Sequence, residues 1–377
     1  MSETPREVTS PGTPIAFLRL VLSEFRNFER CVFEPGPRLN VIAGDNGQGK
    51  TSLLEALYFV ATTRSFRSER LGTLVRHGSK ESFVRADVAE GGKKREQCAA
   101  LANGVRRVTL DGKRPARLIE YAQRTPVVAF HPGDLELVSG ASSLRRRLLD
   151  RAALFVDPAG FERKPRYERV MKERQRALEE RGERAPDLDA YEALAAEEGA
   201  RYQLARTRAA EALIALLVPA FARLAPGPLS LVPSYVPGGS IDVDEFRLQL
   251  GQRRVKDRAR RSPSFGPSKD ELELALDQRA ARTQASQGQQ RILTLALKLA
   301  ELECIARARG VPPVLLLDDV SSELDPTRTG AVYEVLSQSS SQVFVTTTRP
   351  ELFPTPKERA GDRLDFVVEA GVVRRAE

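Results

Sequence analysis

The chain has 377 residues, and 59 Lys+Arg against 51 Asp+Glu leave a formal charge of +8 with a sequence pI near 9.5. With 41% hydrophobic and 29% charged residues it can bury real cores beneath a solvated surface; wholesale disorder is excluded, and the length suggests two structural units. Three scattered cysteines, two histidines and no apolar run near the roughly 20 residues of a membrane span disfavour a disulfide framework, a His-rich metal site and a membrane protein.

Residues 1–14, rich in Pro, Ser and Thr, read as a flexible tail without the apolar region of a signal peptide, so a cytoplasmic location is expected. Alternation in IAFLRLVL (15–22) and in FRNFERCVF, followed by RLNVIAG, predicts three strands, the third short, buried and ending in glycine. It feeds GDNGQGKTSLLEALYFVAT, where Leu53, Leu54, Leu57, Tyr58 and Val60 recur at helical spacing. Residues 82–109 predict antiparallel hairpins broken by EGGKK and ANG, with a further turn at Asp111-Gly112. From 141 to 224 the composition turns to long Arg/Glu/Ala/Leu-rich helices. A Pro- and Gly-rich break follows over 225–239, and then a short helical run, VDEFRLQLGQRRVKDRARR. The α/β pattern returns with DELELAL, a helix over 289–307, the apolar VPPVLLLDD, a helix over 327–336 and the strand QVFVTTT. The chain leaves an α/β domain, builds a helical insert and comes back. The expected divisions are a tail (1–14), a head (15–140), a helical arm (141–261) and the second part of the head (262–377).

Gly44-Asp45-Asn46-Gly47-Gln48-Gly49-Lys50-Thr51 is a complete G-x-x-x-x-G-K-T between a predicted strand and a predicted helix, the context its mechanism demands. The glycines let backbone amides turn inward around phosphate oxygens, and the helix directs its positive end at the same anion. Lys50 can reach the β- and γ-phosphates, and Thr51 offers a hydroxyl to Mg²⁺. Val314 to Asp319 is four apolar residues ending in two acids; a buried parallel strand would deliver both carboxylates at its C-terminal edge, where ligands of open α/β sheets sit. Asp318 suits the Mg²⁺ partner, and Asp319 is placed to orient or deprotonate a water. Ser286, Gly288 and Gln289 open a long amphipathic helix with Ser286 as its cap, a second anion-binding turn that a partner subunit's phosphate could occupy. Ser321 to Asp325 follow the acid-bearing strand, and Thr346 to Thr348 end the next one, as caps or as hydroxyls beside the phosphate. Between Arg145 and Arg261 stand 24 Lys+Arg against 18 Asp+Glu, most of the excess positive charge. It serves either as a solvated surface or for phosphate neutralisation, with Arg253, Arg254, Arg258 and Arg260 as candidate DNA contacts.

Together these residues resemble the ABC-type ATPase heads of the SMC superfamily. Within it, the RecF family is the nearest resemblance, through FRNF (25–28), LEALYFVATTRSFR (54–67), VVAFHPGDLELVSG…RRRLLD (127–150), FGPSKDELEL (265–274), SQGQQRILTLALKLAE (286–301) and LLLDDVSSELD (315–325). The resemblance implies an ABC-type P-loop ATPase head with an inserted mainly helical arm domain. It implies ATP at Gly44–Thr51, Mg²⁺ on Thr51 and Asp318, and Lys50 and Asp319 as catalytic groups. Ser286, Gly288 and Gln289 would meet the γ-phosphate of a partner subunit, and Asp325 would lie in a loop crossing the dimer interface. An ATP-dependent homodimer binding single- and double-stranded DNA at gaps is further implied, with slow DNA-stimulated hydrolysis, RecA loading together with RecO and RecR, and a link to the SOS response. Three departures stand out: Asp at 319 where many such heads have Glu, no Gln after the strand at 127–130, and Thr346–Thr348 where a switch His is common. Another SMC-like ATPase, acting as a DNA clamp or nuclease partner, is the alternative; an arm of about 120 residues is too short for the coiled coils of chromosome-condensing relatives.

Overall fold

The computed structural model describes residues 14–225, 227, 229–319, 340–353 and 361–376. The predicted tail up to residue 13, the Ser321–Asp325 loop and the helix over 327–336 lie outside these residues. The chain divides into two compact units, one of residues up to Asp134 and from Ile305 onward, the other of Leu135–Cys304.

The first unit opens with β1 (Ala16–Phe25), β2 (Phe28–Phe33) and β3 (Leu39–Ala43), followed by α1 (Lys50–Thr62), β4 (Glu81–Glu90), β5 (Lys93–Ala102), β6 (Val105–Leu110), α2 (Leu118–Ala122) and β7 (Val127–Phe130). β4, β5 and β6 are joined by two-residue turns, Gly91-Gly92 and Asn103-Gly104, with φ positive at all four positions. Such turns match the right-handed twist of the flanking strands, and glycine and asparagine adopt them at least cost. The result is an antiparallel sheet in the order β2-β1-β4-β5-β6.

The second unit holds short α3 (Glu136–Ser139), α4 (Ser142–Val156), α5 (Pro158–Phe161), α6 (Lys164–Arg181) and the 37-residue α7 (Leu188–Leu224). Next come β8 (Leu231–Val236), α8 (Val243–Gln252), α9 (Arg254–Arg260), β9 (Glu271–Leu276), β10 (Arg279–Ala280), α10 (Ala281–Gln284) and α11 (Gln287–Arg309). Small residues on α7, among them Ala195, Ala196, Ala200, Ala205 and Ala209, are buried and leave room for Tyr167, Met171, Tyr202, Phe246 and Leu250 in one arm core. Charge is buried here in networks: Arg174 pairs with Glu192 at 3.0 Å and Asp257 at 2.8 Å, and Arg206 with Asp150 at 2.7 Å and Asp270 at 2.8 Å. Removing one member of such a network strands its partners in low dielectric.

The chain returns to the first unit as β11 (Val314–Asp318), β12 (Val343–Thr347), β13 (Arg363–Glu369) and β14 (Val372–Arg375). A second sheet results, ordered β14-β13-β3-β12-β11-β7, parallel except for β14. α1 lies in one core with both sheets: Leu53, Leu54, Leu57 and Phe59 cluster with Leu20, Leu22, Val84 and Leu101 of one and Ile42, Leu316 and Phe344 of the other. This layering buries nearly the whole of α1 and fixes the turn at its start.

Several expectations are corrected. The second compact unit extends to Cys304 rather than ending at 261, because β8 pairs with β9 across that point and Arg145 and Arg206 bind Glu271 and Asp270. The supposed break over 225–239 contains β8, an edge strand that tolerates Pro233 because, among the described residues, it pairs on one side only. The single helical run after it is two helices, α8 and α9, meeting at Arg253. β13 and β14 carried no sequence expectation. Cys31, Cys98 and Cys304 are buried and form no disulfide among the described residues, and burial pushes the thiols of Cys31 and Cys98 up to about 11. Among the described residues no helix is long and apolar enough to cross a membrane.

Candidate functional site

The apolar β3 ends at Ala43, and the chain then turns through positive φ at Gly44 (149°), Gly47 (83°) and Gly49 (119°) before α1 begins. Gly44 excludes any side chain on steric grounds as well, since a Cβ there would lie 2.4 Å from the Val368 backbone carbonyl, and a Cβ at Gly49 would have to displace the Asn27 side-chain amide, 2.5 Å away. Gly49 caps α1 without a side-chain acceptor, so the amides of the first turn are left for an external anion. The loop is tied at Gln48: its carbonyl accepts from the Asn27 side chain at 3.0 Å, and its side-chain oxygen accepts from the Ala370 amide at 2.7 Å. Lys50 is buried, with Nζ donating to the carbonyls of Gly44 at 2.6 Å and Asp45 at 2.8 Å. Burial lowers its pKa, while Asp319, Asp318 and Asp45 pull in the other direction.

Register brings the acids to the same place. β11 lies between β12 and β7, and Asp318 pairs with Thr346 across the sheet. Oδ1 of Asp318 accepts from the Thr51 hydroxyl at 2.8 Å and from the Thr346 hydroxyl at 2.8 Å. Its Oδ2 receives no hydrogen bond among the described residues. Burial raises the Asp318 carboxyl above the usual range, against the pull of those two hydroxyls. The Thr346 oxygen also accepts from the Asp319 amide at 3.0 Å, and Asp319 adopts a left-handed φ of 49°. One hydroxyl therefore sets both acids. The Thr51 hydroxyl and Oδ2 of Asp318 form a hard-oxygen pair of the kind that holds Mg²⁺ beside phosphate and water.

A cleft of about 570 Å³ is lined by Asn46, Gly47, Gly49, Lys50 and Thr51 of the loop, by Asp318, Asp319 and Thr346, and by Arg26, Asn27, Arg67, Thr73, Val75 and His77. The last six had no sequence-based assignment, although FRNF and RSFR contain three of them. Arg26 is fixed by a two-pronged bond to Glu55 (2.7 Å to each oxygen), and Glu55, fully buried on α1, also accepts from Ser65 at 2.5 Å. Lys50, Arg26 and Arg67 thus face Asp318 and Asp319 around a phosphate-sized loop.

Ser286, Gly288 and Gln289 belong to the second unit and form a reciprocal cap: the Gln289 amide donates to the Ser286 hydroxyl at 3.2 Å, and the Ser286 amide donates to the Gln289 side chain at 2.8 Å. The cap role of Ser286 is as expected, and the helix starts two residues earlier. Of the arm arginines, Arg254 pairs with Glu192 and Asp189, Arg258 with Glu183 at 3.0 Å, and Arg253 stacks on Phe265 at 5.0 Å; Arg260 is exposed.

Residues 16–362 match the RecF/RecN/SMC N terminal domain. The DNA replication and repair protein RecF of Anaeromyxobacter sp. (strain Fw109-5) is 41% identical over 368 residues, which cover 94% of this chain and 98% of that protein. The protein of that name from Myxococcus xanthus (strain DK1622) is 40% identical over 346 residues, 88% of this chain and 90% of its own. Among solved structures, one described as the recombination mediator protein RecF-ATP in the RecFOR pathway superposes with a TM-score of 0.85 at 26% identity, over 97% of this chain and 99% of that one. The Smc head domain from Pyrococcus furiosus shares the fold, at a TM-score of 0.54 and 17% identity over 96% of each chain. These matches bear out the α/β, ABC-type ATPase head, and the chain belongs to the RecF family.

Proposed function

We propose that this chain is an ATP-dependent DNA-binding protein of RecF type, acting in replication and in recombinational repair of single-strand gaps. The observation that carries the reading is the convergence of Lys50, Thr51, Asp318 and Asp319 on one cleft, with Arg26 and Arg67 also in its lining. Loop amides and Lys50 would hold the triphosphate, the ammonium exchanging its two loop carbonyls for phosphate oxygens. Thr51 and Asp318 would hold Mg²⁺, which when bound neutralises phosphate charge. Asp319 would orient the attacking water; its side chain is shorter than glutamate and suits slow hydrolysis. Ser286, Gly288 and Gln289 would complete the site of a second copy, so that ATP drives homodimerisation. Relatives named as RecF in a RecFOR pathway support RecO and RecR as partners, and through them RecA.

Nucleotide titration followed by sizing with and without ATP tests this. Lys50→Ala should abolish nucleotide binding, because the β/γ-phosphate charge loses its point cation. Ser286→Arg should bind ATP nearly as the wild type does yet remain monomeric. Lys50→Ala affinity within a factor of two of wild type would defeat the assignment of the loop. Loss of ATP binding in Ser286→Arg would defeat the shared site.

A further inference from the structure

The antiparallel sheet has a second face. On β4, Ser82, Val84, Ala86 and Val88 point into the core, so Phe83 and Arg85 point outward. Directly paired residues share a face, and the register therefore lays out a row across five strands: Arg30, Ser23, Phe83, Ala100 and Arg107. The rows on either side are Val32, Val21, Arg85, Cys98 and Thr109, and Glu81, Ala102 and Val105.

Phe83 is 38% exposed, a large aromatic ring held up on a sheet surface. Its cross-strand neighbours, Ser23 and Ala100, are too small to cover it. Arg30 and Arg107 end the row at either side, about 19 Å apart at the usual strand spacing. Both are exposed, and neither has a carboxylate within ion-pair reach among the described residues. Arg85 has only a long pairing to Glu96, at 3.7 Å. An open ring flanked by small residues and bracketed by guanidinium groups offers a base a flat surface and its phosphates a counter-charge. Every base has a π-face, so such a surface takes single strands without regard to sequence. A protein partner would find the exposed Val32 and Val105 useful, but has no comparable need for three arginines around one ring.

We propose that the outer face of this sheet is a stacking platform for single-stranded nucleic acid, with Phe83 meeting the base and Arg30, Arg85 and Arg107 meeting the phosphates. The proposal rests on the DNA-binding reading above, and places single strands on a surface separate from the nucleotide cleft.

The chain has no tryptophan, so Phe83→Trp in the full-length protein creates a single indole at the centre of the platform. Titration with an oligothymidylate of about 20 nucleotides should quench its emission to saturation, and Phe83→Ala should weaken oligothymidylate binding roughly 5- to 100-fold. Arg30→Glu with Arg107→Glu should weaken binding further and flatten its salt dependence. ATP affinity, unchanged in all of these variants, serves as the check on folding. Flat emission from Phe83→Trp at oligonucleotide concentrations that saturate the wild type would overturn the platform and leave the face to a protein. Equal affinity of Phe83→Ala and wild type would also overturn it, while DNA binding itself stood. Failure of the wild type to bind any oligothymidylate would overturn the platform, and failure to bind duplex DNA as well would overturn the DNA-binding reading.

Discussion

Thr346 carries more of the site than its place at a strand end suggests. One hydroxyl donates to Asp318 and accepts from the Asp319 amide, which holds Asp319 in a backbone conformation that few non-glycine residues adopt. Thr346→Val keeps the shape and removes both bonds. Hydrogen bonds to charged groups contribute about 1.5–3 kcal/mol, so hydrolysis should fall roughly 10- to 100-fold. Nucleotide affinity should stay within about threefold, because Lys50 and the loop amides are untouched, and Thr346→Ser should restore most of the rate. A rise in KM with kcat unchanged would instead make Thr346 a binding residue. The loop residues and Asp318 were legible in the sequence because each is local to a strand end or a helix start. Arg26, Arg67, Thr73, Val75 and His77 were not, since a hairpin turn and an irregular segment bring them in, and neither has periodicity.

At the level of elements, helices and buried strands followed their periodicity, and the failures have physical causes. β8 was hidden by Pro233, which an edge strand accepts; the arm was cut short because its small sheet closes with residues beyond 261. The helices of the arm are held by charge as well as by apolar packing. Glu301 of α11 is fully buried between Arg151 of α4, at 2.5 Å, and Lys298, at 2.6 Å. Burial alone would raise its carboxyl, but the two cations hold it down at about 2. A carboxyl depressed from about 4.5 in the unfolded chain stabilises the fold above that pH, on the order of 3 kcal/mol, and the contribution is lost as pH falls toward 2. The stability gap between wild type and Glu301→Gln in urea unfolding should thus be widest near neutrality and narrow progressively as the pH drops below about 4.5. A gap independent of pH would mean that the ion pairs contribute nothing.

Across the whole molecule the stretch 145–261 carries most of the excess charge, but much of it is already engaged. Arg254 faces the buried Glu192, so its reversal would unfold the arm before it tested any ligand. The informative pair is Lys256 and Arg260, both exposed. If the arm neutralises duplex phosphates, Lys256→Glu with Arg260→Glu should flatten the log-affinity against log-salt line by about 0.9 for each phosphate left unneutralised. An unchanged slope with unchanged affinity would retire the arm as a duplex-binding surface. Finally, the 37 residues of α7 make a rod about 55 Å long at the helical rise of 1.5 Å per residue, and α9 docks beside its N-terminal end through Arg254. Helices α4, α5, α6 and α8 and strand β8 all pack against this rod, so it is the axis on which the arm is assembled, and a break within it would loosen every one of those contacts.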